Sequence, residues 1–215
     1  MIPSKEEFFN GLAAKHGAEL QKKFAVASVA VCGAGGLGSN IAIALARAGV
    51  GRLKIIDFDK IEITNLNRQQ YFADQIGLFK AEALKENLAK IAPYCEVTAE
   101  TAKITEENVT ELLKGFPIVC EAFDKAEAKA MLVNAVLENM PETYLVSGSG
   151  MASLNSANLI KTRKITDKFY LCGDMESDVD AGNGLFGARV LVCAAHQAHA
   201  VLRIIAGENN ENLEK

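Results

Sequence analysis

The 215-residue chain contains no CxxC pair, no dense block of lysine or arginine, and no uninterrupted apolar run of the roughly 18 residues that a membrane span needs. Each absence excludes a class of function. Cys32, Cys95, Cys120, Cys172 and Cys193 stand alone, so a structural zinc site, which takes closely spaced thiol pairs, is not expected. Cys32, Cys120 and Cys193 lie inside apolar runs and read as buried thiols. The 23 Lys+Arg against 27 Asp+Glu leave a net charge of −4, without the cationic footprint that collects nucleic-acid phosphates. The opening MIPSKEEFF has no basic region leading into an apolar stretch. A cytoplasmic chain with neither nucleic acid nor membrane as partner is the expectation.

What is present is an ordinary globular composition, 49% hydrophobic and 23% charged, and a chain of this length buries about 70% of its extended surface without disulfide staples. From Ser28 onward β-branched runs alternate with helical stretches. SVAVCG, RLKIIDFD, EVTAE, PIVCEAF and TYLVSG read as strands, and LGSNIAIALARAG, KAEALKENLAKIAP, EENVTELLKG and KAEAKAMLVNAVLENM as the helices between them. That rhythm predicts an α/β fold, a Rossmann-like, doubly wound and mostly parallel sheet. SLNSANLIKTR and DKFYLCG then read as two strands of an antiparallel extension, DMESDVDAGNGLFG as an irregular loop, and ARVLVCAAHQAHAVLRIIAG as a closing helix. With no repeat and no linker, residues 1–215 are expected to form one domain, with one or two short helices in 1–27 and a frayed tail at 208–215.

Gly33, Gly35, Gly36 and Gly38 lie between an apolar strand and a helix with GxGxxG spacing. The first glycine permits a tight turn, the second lets backbone approach phosphate, and the third lets strand and helix pack closely. Backbone N–H groups at the helix start then face an anion; the alternative is a purely structural turn. Asp57 ends the second strand about 20 residues on, where a carboxylate accepts hydrogen bonds from ribose hydroxyls. These features alone suit a nicotinamide oxidoreductase as well. Arg68 and Lys80 argue for a triphosphate instead, because they put cations beside a phosphate chain where a hydride-transfer site needs an apolar bed.

GAGGLGSN, the run GVGRLKIIDFDKIEITNLNRQ, the single lysine of GLFKAEAL, and EAFDKAEAK after a strand together resemble the ThiF/MoeB-like adenylating enzymes, relatives of the ubiquitin-activating enzymes. The length, the N-terminal region and the missing cysteines are similar to the short ThiF-like branch of thiamine-thiazole synthesis. The resemblance implies an enzyme that binds ATP and Mg²⁺ and adenylates the Gly-Gly carboxylate of a small β-grasp, ThiS-like sulfur carrier protein. It implies a homodimer as well. Fixed cations would be the main source of catalysis, since negative charge builds on phosphoryl oxygens. On this footing the glycines, Asp57 and Asp59 match the adenosine and ribose cradle, Asn65, Arg68 and Gln69 the phosphate-holding run, Lys80 the motif lysine, and Asp124 the carboxylate for Mg²⁺. Each has a plainer reading: Arg68 paired with Glu62 or Asp59, Lys80 as a first-turn lysine, Asp124 as a helix cap.

The sequence departs from that family's pattern in three places. The zinc cysteine pairs are missing, the crossover loop has no cysteine, Cys172 just before it reads as a buried strand-end thiol rather than a substitute, and no N-terminal arginine is evident, Lys5, Lys15, Lys22 and Lys23 being the cations there. These departures motivate a second expectation, a non-catalytic nucleotide-binding subunit or scaffold. Cys193, His196 and His199 recur at threes on the closing helix and read as packed or solvated side chains rather than metal ligands. Lys161, Arg163 and Lys164 read equally as a border for the carrier or as a solvated strand end, and the run Ser147–Gly150 equally as a path for its tail or as a simple turn.

Overall fold

In the computed structural model, which describes residues 2–177 and 184–208, strand β1 (Ser28–Cys32) runs through the interior of a seven-stranded sheet. Its alternate side chains enter two separate cores. Val29 and Val31 pack with Ile41, Leu45, Leu84, Leu88 and Val201, whereas Ala30 and Cys32 pack with Val109, Leu113, Leu132 and Val136. A strand covered on both faces has no polar position to spare, which is why SVAVC reads as a continuous apolar run.

The sheet order is β3-β2-β1-β4-β5-β7-β6, with β2 at Arg52–Ile56, β3 at Glu96–Glu100, β4 at Ile118–Glu121, β5 at Tyr144–Gly148, β6 at Lys161–Lys164 and β7 at Phe169–Gly173. All neighbouring pairs are parallel except β6 with β7. Helices α3 (Gly36–Arg47), α4 (Lys80–Ile91) and α7 (Gly187–Ala206) supply the first core, and α5 (Val109–Leu113) and α6 (Ala126–Asn139) the second. Order reverses at β1 and β4, where open α/β sheets place ligands beyond the strands' carboxyl ends.

The segment before β1 forms two helices, α1 (Lys5–His16) and α2 (Ala18–Val26). Ser4 and Glu7 close a reciprocal cap at the start of α1. Helix α7 is long and apolar enough, by length and composition, to cross a bilayer. Here it is a core helix: Val190, Cys193, Ala194, Gln197, Val201 and Ile204 are buried, and it packs on α3, β5 and β7.

Two expectations need correction. SLNSANLIKTR is not one strand: only Lys161–Lys164 pairs, and a 3-10 turn, Ala157–Leu159, precedes it. The hydroxyls of Ser153 and Ser156 accept the N–H groups of Asn155 and Asn158, a local alternative to a ladder. The extension is also not wholly antiparallel, since β7 inserts parallel to β5 and only the edge strand β6 reverses. Of the predicted irregular loop, residues 178–183 lie outside the described residues, as does 209–215 of the tail.

Candidate functional site

The turn after β1 is held open by backbone contacts that only glycine permits. Gly33 has φ +97°, and a Cβ on it would sit 2.7 Å from the carbonyl oxygen of Ala122; one on Gly38 would sit 1.8 Å from the oxygen of Gly33. Gly35 and Gly36 line the outer side, where Gly36 faces the Arg68 side chain and Gly35 faces Gln69. Helix α3 starts without a side-chain cap and without an acid in its first turn. Its leading N–H groups are therefore unspent and its dipole is unopposed, the arrangement that suits an anion.

Asp57, at the end of β2, fixes this turn from beneath. Its carboxylate accepts the N–H of Ala34 at 2.6 Å and that of Asp59 at 2.7 Å. Burial pushes the Asp57 carboxyl above its ordinary value, against the pull of those two N–H groups and of the Lys80 charge. Lys80 opens α4, is itself buried, and reaches Asp59 at 2.9 Å. Tyr71, which the sequence reading missed, donates its buried hydroxyl to the Ala34 carbonyl at 2.7 Å and lies 3.3 Å from that of Lys80. An aromatic in a polar loop gives no spacing signal of its own.

On the other side of the glycines lies the run 62–69. Asn65 is buried and accepts the Glu62 N–H through its side-chain oxygen, which folds the run into a 3-10 turn (Ile63–Asn65). Arg68 donates to the Thr64 carbonyl and the Asn67 side chain at 2.9 and 2.8 Å. It pairs with neither Glu62 nor Asp59. Gln69 is buried beside Gly35 and its Oε1 has no partner among the described residues. A buried orphan acceptor is costly, and here it is an open bonding position on a residue whose Nε2 lies beside Gly35. Asn40 joins run and turn, donating to the carbonyls of Gly36 and Arg68.

Asp124 follows β4 two residues after Ala122, which abuts Gly33. It is exposed, and the start of α6 has no side-chain cap, so the capping alternative is not realised. The structure thus brings every predicted site residue to the carboxyl end of β1, β2 and β4. What sequence reasoning did not find is the group bonded to Glu121 at the end of β4, Lys129 and Gln197 together with the Ser147 hydroxyl, and the ion pair of Arg189 with Asp174 at 2.8 Å. The signals were an acid inside the apolar run IVCEAF and an arginine in the first turn of an apolar helix.

Other candidates resolve differently. Cys172 is fully buried and its thiol is pushed up to about 12 by that burial, so it offers no thiolate to an incoming group. His196 bonds Thr162 and Cys193 bonds the Cys172 carbonyl; among the described residues no cluster of three or more His, Cys, Asp or Glu is placed for a metal ion. Arg163 is tied to the Gly173 carbonyl and Lys164 to Asp167. Lys22 pairs with Glu19 and Lys23 reaches the carbonyl of Ala206, both away from the glycine turn. A cleft of about 480 Å³ lined by Lys114, Asn139 and Thr143 opens at the amino ends of β4 and β5, opposite the site.

Comparison with known proteins draws the same outline. The sequence profile of the ThiF family matches residues 10–215. A tRNA threonylcarbamoyladenosine dehydratase of Escherichia coli (strain K12) is 37% identical over 144 residues, 66% of this chain and 54% of its own. An adenylyltransferase and sulfurtransferase MOCS3 of Anopheles gambiae is 34% identical over 197 residues, 88% of this chain and 44% of its own. The chain spans about half the length of these curated relatives. Among solved structures, the E. coli dehydratase in complex with ATP is similar with a TM-score of 0.85 at 26% identity, over 97% of this chain and 98% of that one.

Proposed function

The chain belongs to the ThiF family, and from that premise we propose that it is an ATP- and Mg²⁺-dependent adenylyltransferase. The acceptor we assign is the C-terminal carboxylate of a small β-grasp carrier protein that ends in Gly-Gly, ThiS-like as the sequence resemblance implies. One observation carries the reading. Arg68 packs on Gly36, Lys80 pairs with Asp59 next to the Asp57 that holds Ala34, and Asp124 follows the strand end whose Ala122 abuts Gly33, all about a helix start with no cap of its own. Two cations and a carboxylate around an anion cradle match a triphosphate with its metal and do not match nicotinamide, so the oxidoreductase alternative loses its support.

In this reading the turn 33–38 holds the phosphates and Asp57 the ribose, with Gln69 Oε1 as a further acceptor for the nucleotide. Lys80 exchanges Asp59 for a phosphoryl oxygen. The exchange is cheap because the Asp59 side chain is 49% exposed and stays hydrated when released. Arg68 is already oriented by two acceptors, so little side-chain entropy is lost on binding. The carrier carboxylate attacks the α-phosphorus, pyrophosphate leaves, and these cations receive the charge that develops. Asp124, exposed and without an ion-pair partner among the described residues, fits a Mg²⁺ that otherwise keeps water and phosphate ligands. Bound there, the ion would neutralise phosphoryl charge.

The test is direct. ATP, Mg²⁺ and a Gly-Gly-ended carrier, incubated with the purified chain, should yield an acyl-adenylate mass shift on the carrier; no shift with active carrier present would leave the nucleotide-binding scaffold. Asp124→Ala should abolish carrier-dependent ATP–pyrophosphate exchange with the thermal transition intact, and unaltered exchange would remove Asp124 from the mechanism. A second acceptor is favoured by the E. coli dehydratase, whose name places it on tRNA. Against it stand the net charge of −4 and the engagement of Arg163 and Lys164 within the fold. A threonylcarbamoyladenosine-bearing tRNA in the same assay separates the two. For the assembly we propose a homodimer, supported by the apolar side chains of Phe58, Ile63, Phe72, Ile76, Leu78 and Phe79, exposed together along 58–79. For location we propose the cytoplasm.

A further inference from the structure

Glu121 is fully buried at the end of β4, an expensive place for a carboxylate unless several donors reach it. They do. Lys129 lies 3.1 Å from both of its oxygens, Ser147 donates its hydroxyl, and the N–H of Phe123 donates at 2.7 Å. Lys129 also donates to the Gly148 carbonyl at 2.8 Å. Gln197 of α7 adds bonds to the Glu121 and Val146 carbonyls, and its own Oε1 has no partner among the described residues.

The topology of these bonds is more telling than their number. Phe123 is the residue before Asp124, so the carboxylate of Glu121 grips the short turn that carries Asp124. Through Lys129 and Ser147 the same carboxylate grips the end of β5, where the run Ser147–Gly150 begins. Two strand ends that the backbone ladder joins only as far as Cys120 and Val146 are thereby held to each other by side chains.

We propose that Lys129, with Glu121 and Ser147, is a positioning brace that sets Asp124 for the metal and holds it in register with the 147–150 turn. None of the three is a catalytic residue. The proposal rests on the adenylyltransferase reading, and its test separates the two. Mn²⁺ binding to the full chain in the presence of ATP, followed by electron paramagnetic resonance, reads the metal position; calorimetry with ATP alone reads the cradle. The double variant Glu121→Gln/Lys129→Met removes the buried carboxylate and its half-buried partner together, which spares the fold an uncompensated ion. It should weaken Mn²⁺ binding about ten-fold while metal-free ATP affinity stays unchanged, as is usual when an outer partner of a metal carboxylate is lost.

Ser147→Ala should act in the same direction, about three-fold, by removing one bond to Glu121. Lys129→Arg, which keeps the charge, should restore most of the Mn²⁺ affinity. Unchanged Mn²⁺ affinity in the folded double variant overturns the brace; if that variant does not fold, unchanged affinity in Ser147→Ala does so instead. An equal loss of metal-free ATP binding also overturns it, because the effect would then be general loosening. A wild-type chain that binds no ATP removes the adenylyltransferase reading and the brace with it, an outcome visible before any variant is made.

Discussion

In the half of the sheet built from β1, β2 and β3, Lys80 meets an Asp59 whose side chain is 49% exposed; across β4, β5 and β7, the carboxylates of Glu121 and Asp174 are 0% and 4% exposed beside Lys129 and Arg189. A half-wet pair gives up its partner at little cost, so Lys80 is available to a ligand. A shut-in pair cannot, because either ion left alone would be desolvated without compensation. Arg189 adds bonds to the carbonyls of Ala152, Asn155 and Ser156, so it ties segment 152–156 and Asp174 to α7 at once. One half therefore holds exchangeable charge and the other holds charge that fixes backbone.

The same contrast governs how the two halves should respond to mutation. Arg189→Leu strands Asp174 and frees three carbonyls, and it should cost about 3–5 kcal/mol in urea unfolding; a loss below that of Lys80→Met would erase the distinction. Gly38→Ala forces a methyl into the Gly33 carbonyl and should cost about 1–3 kcal/mol, with ATP binding lost in calorimetry. Lys80→Met should cost under about 1 kcal/mol, since Asp59 is left in contact with water. It should nevertheless abolish ATP binding, and retained binding would return Lys80 to the role of an ordinary helix-start lysine.

Acid separates the halves by sign. Burial works to raise Asp174, but the N–H groups of Ser177 and Glu176 and the Arg189 guanidinium outweigh it and hold the carboxyl well below its ordinary value of 3.8. The stability it contributes is present above 3.8 and is lost as pH falls toward the lowered value. Asp57 is raised, so its contribution is complete below 3.8 and is lost as pH climbs through the raised value. Relative to wild type, Asp174→Asn should recover as pH drops below that point, whereas Asp57→Asn should gain as pH rises just above it. Urea midpoints across the acid range check both, and parallel curves would show that the two carboxylates do not differ.

Much of the first half was legible in the residues. GAGGLG between a strand and a helix, Asp57 at the strand end, and NLNRQ with Lys80 beyond it are short-range patterns, and the glycine turn and the helix starts form where they were expected, whereas the 3-10 turn at Ile63–Asn65 was not expected. The plainer readings of Arg68 and Asp124 failed for a reason sequence does not carry, the direction of each side chain: Arg68 turns to Thr64 and Asn67, and Asp124 leaves the start of α6 uncapped. In the second half the reading overextended a strand through SLNSAN, because local hydroxyl turns compete there with the ladder and the grip of Arg189 comes from up to 37 positions away.

Glycine spacing, apolar runs and the rhythm of strand and helix determined by themselves the mostly parallel sheet and the glycine turn after β1, because each depends on φ, ψ and neighbours within a few residues. The tertiary structure alone decided which charges are spent. Glu121 meets Lys129 and Ser147, and Asp174 meets Arg189, only after β4, β5, β7 and α7 are packed, and it is the exclusion of water in that packing that makes these pairs permanent.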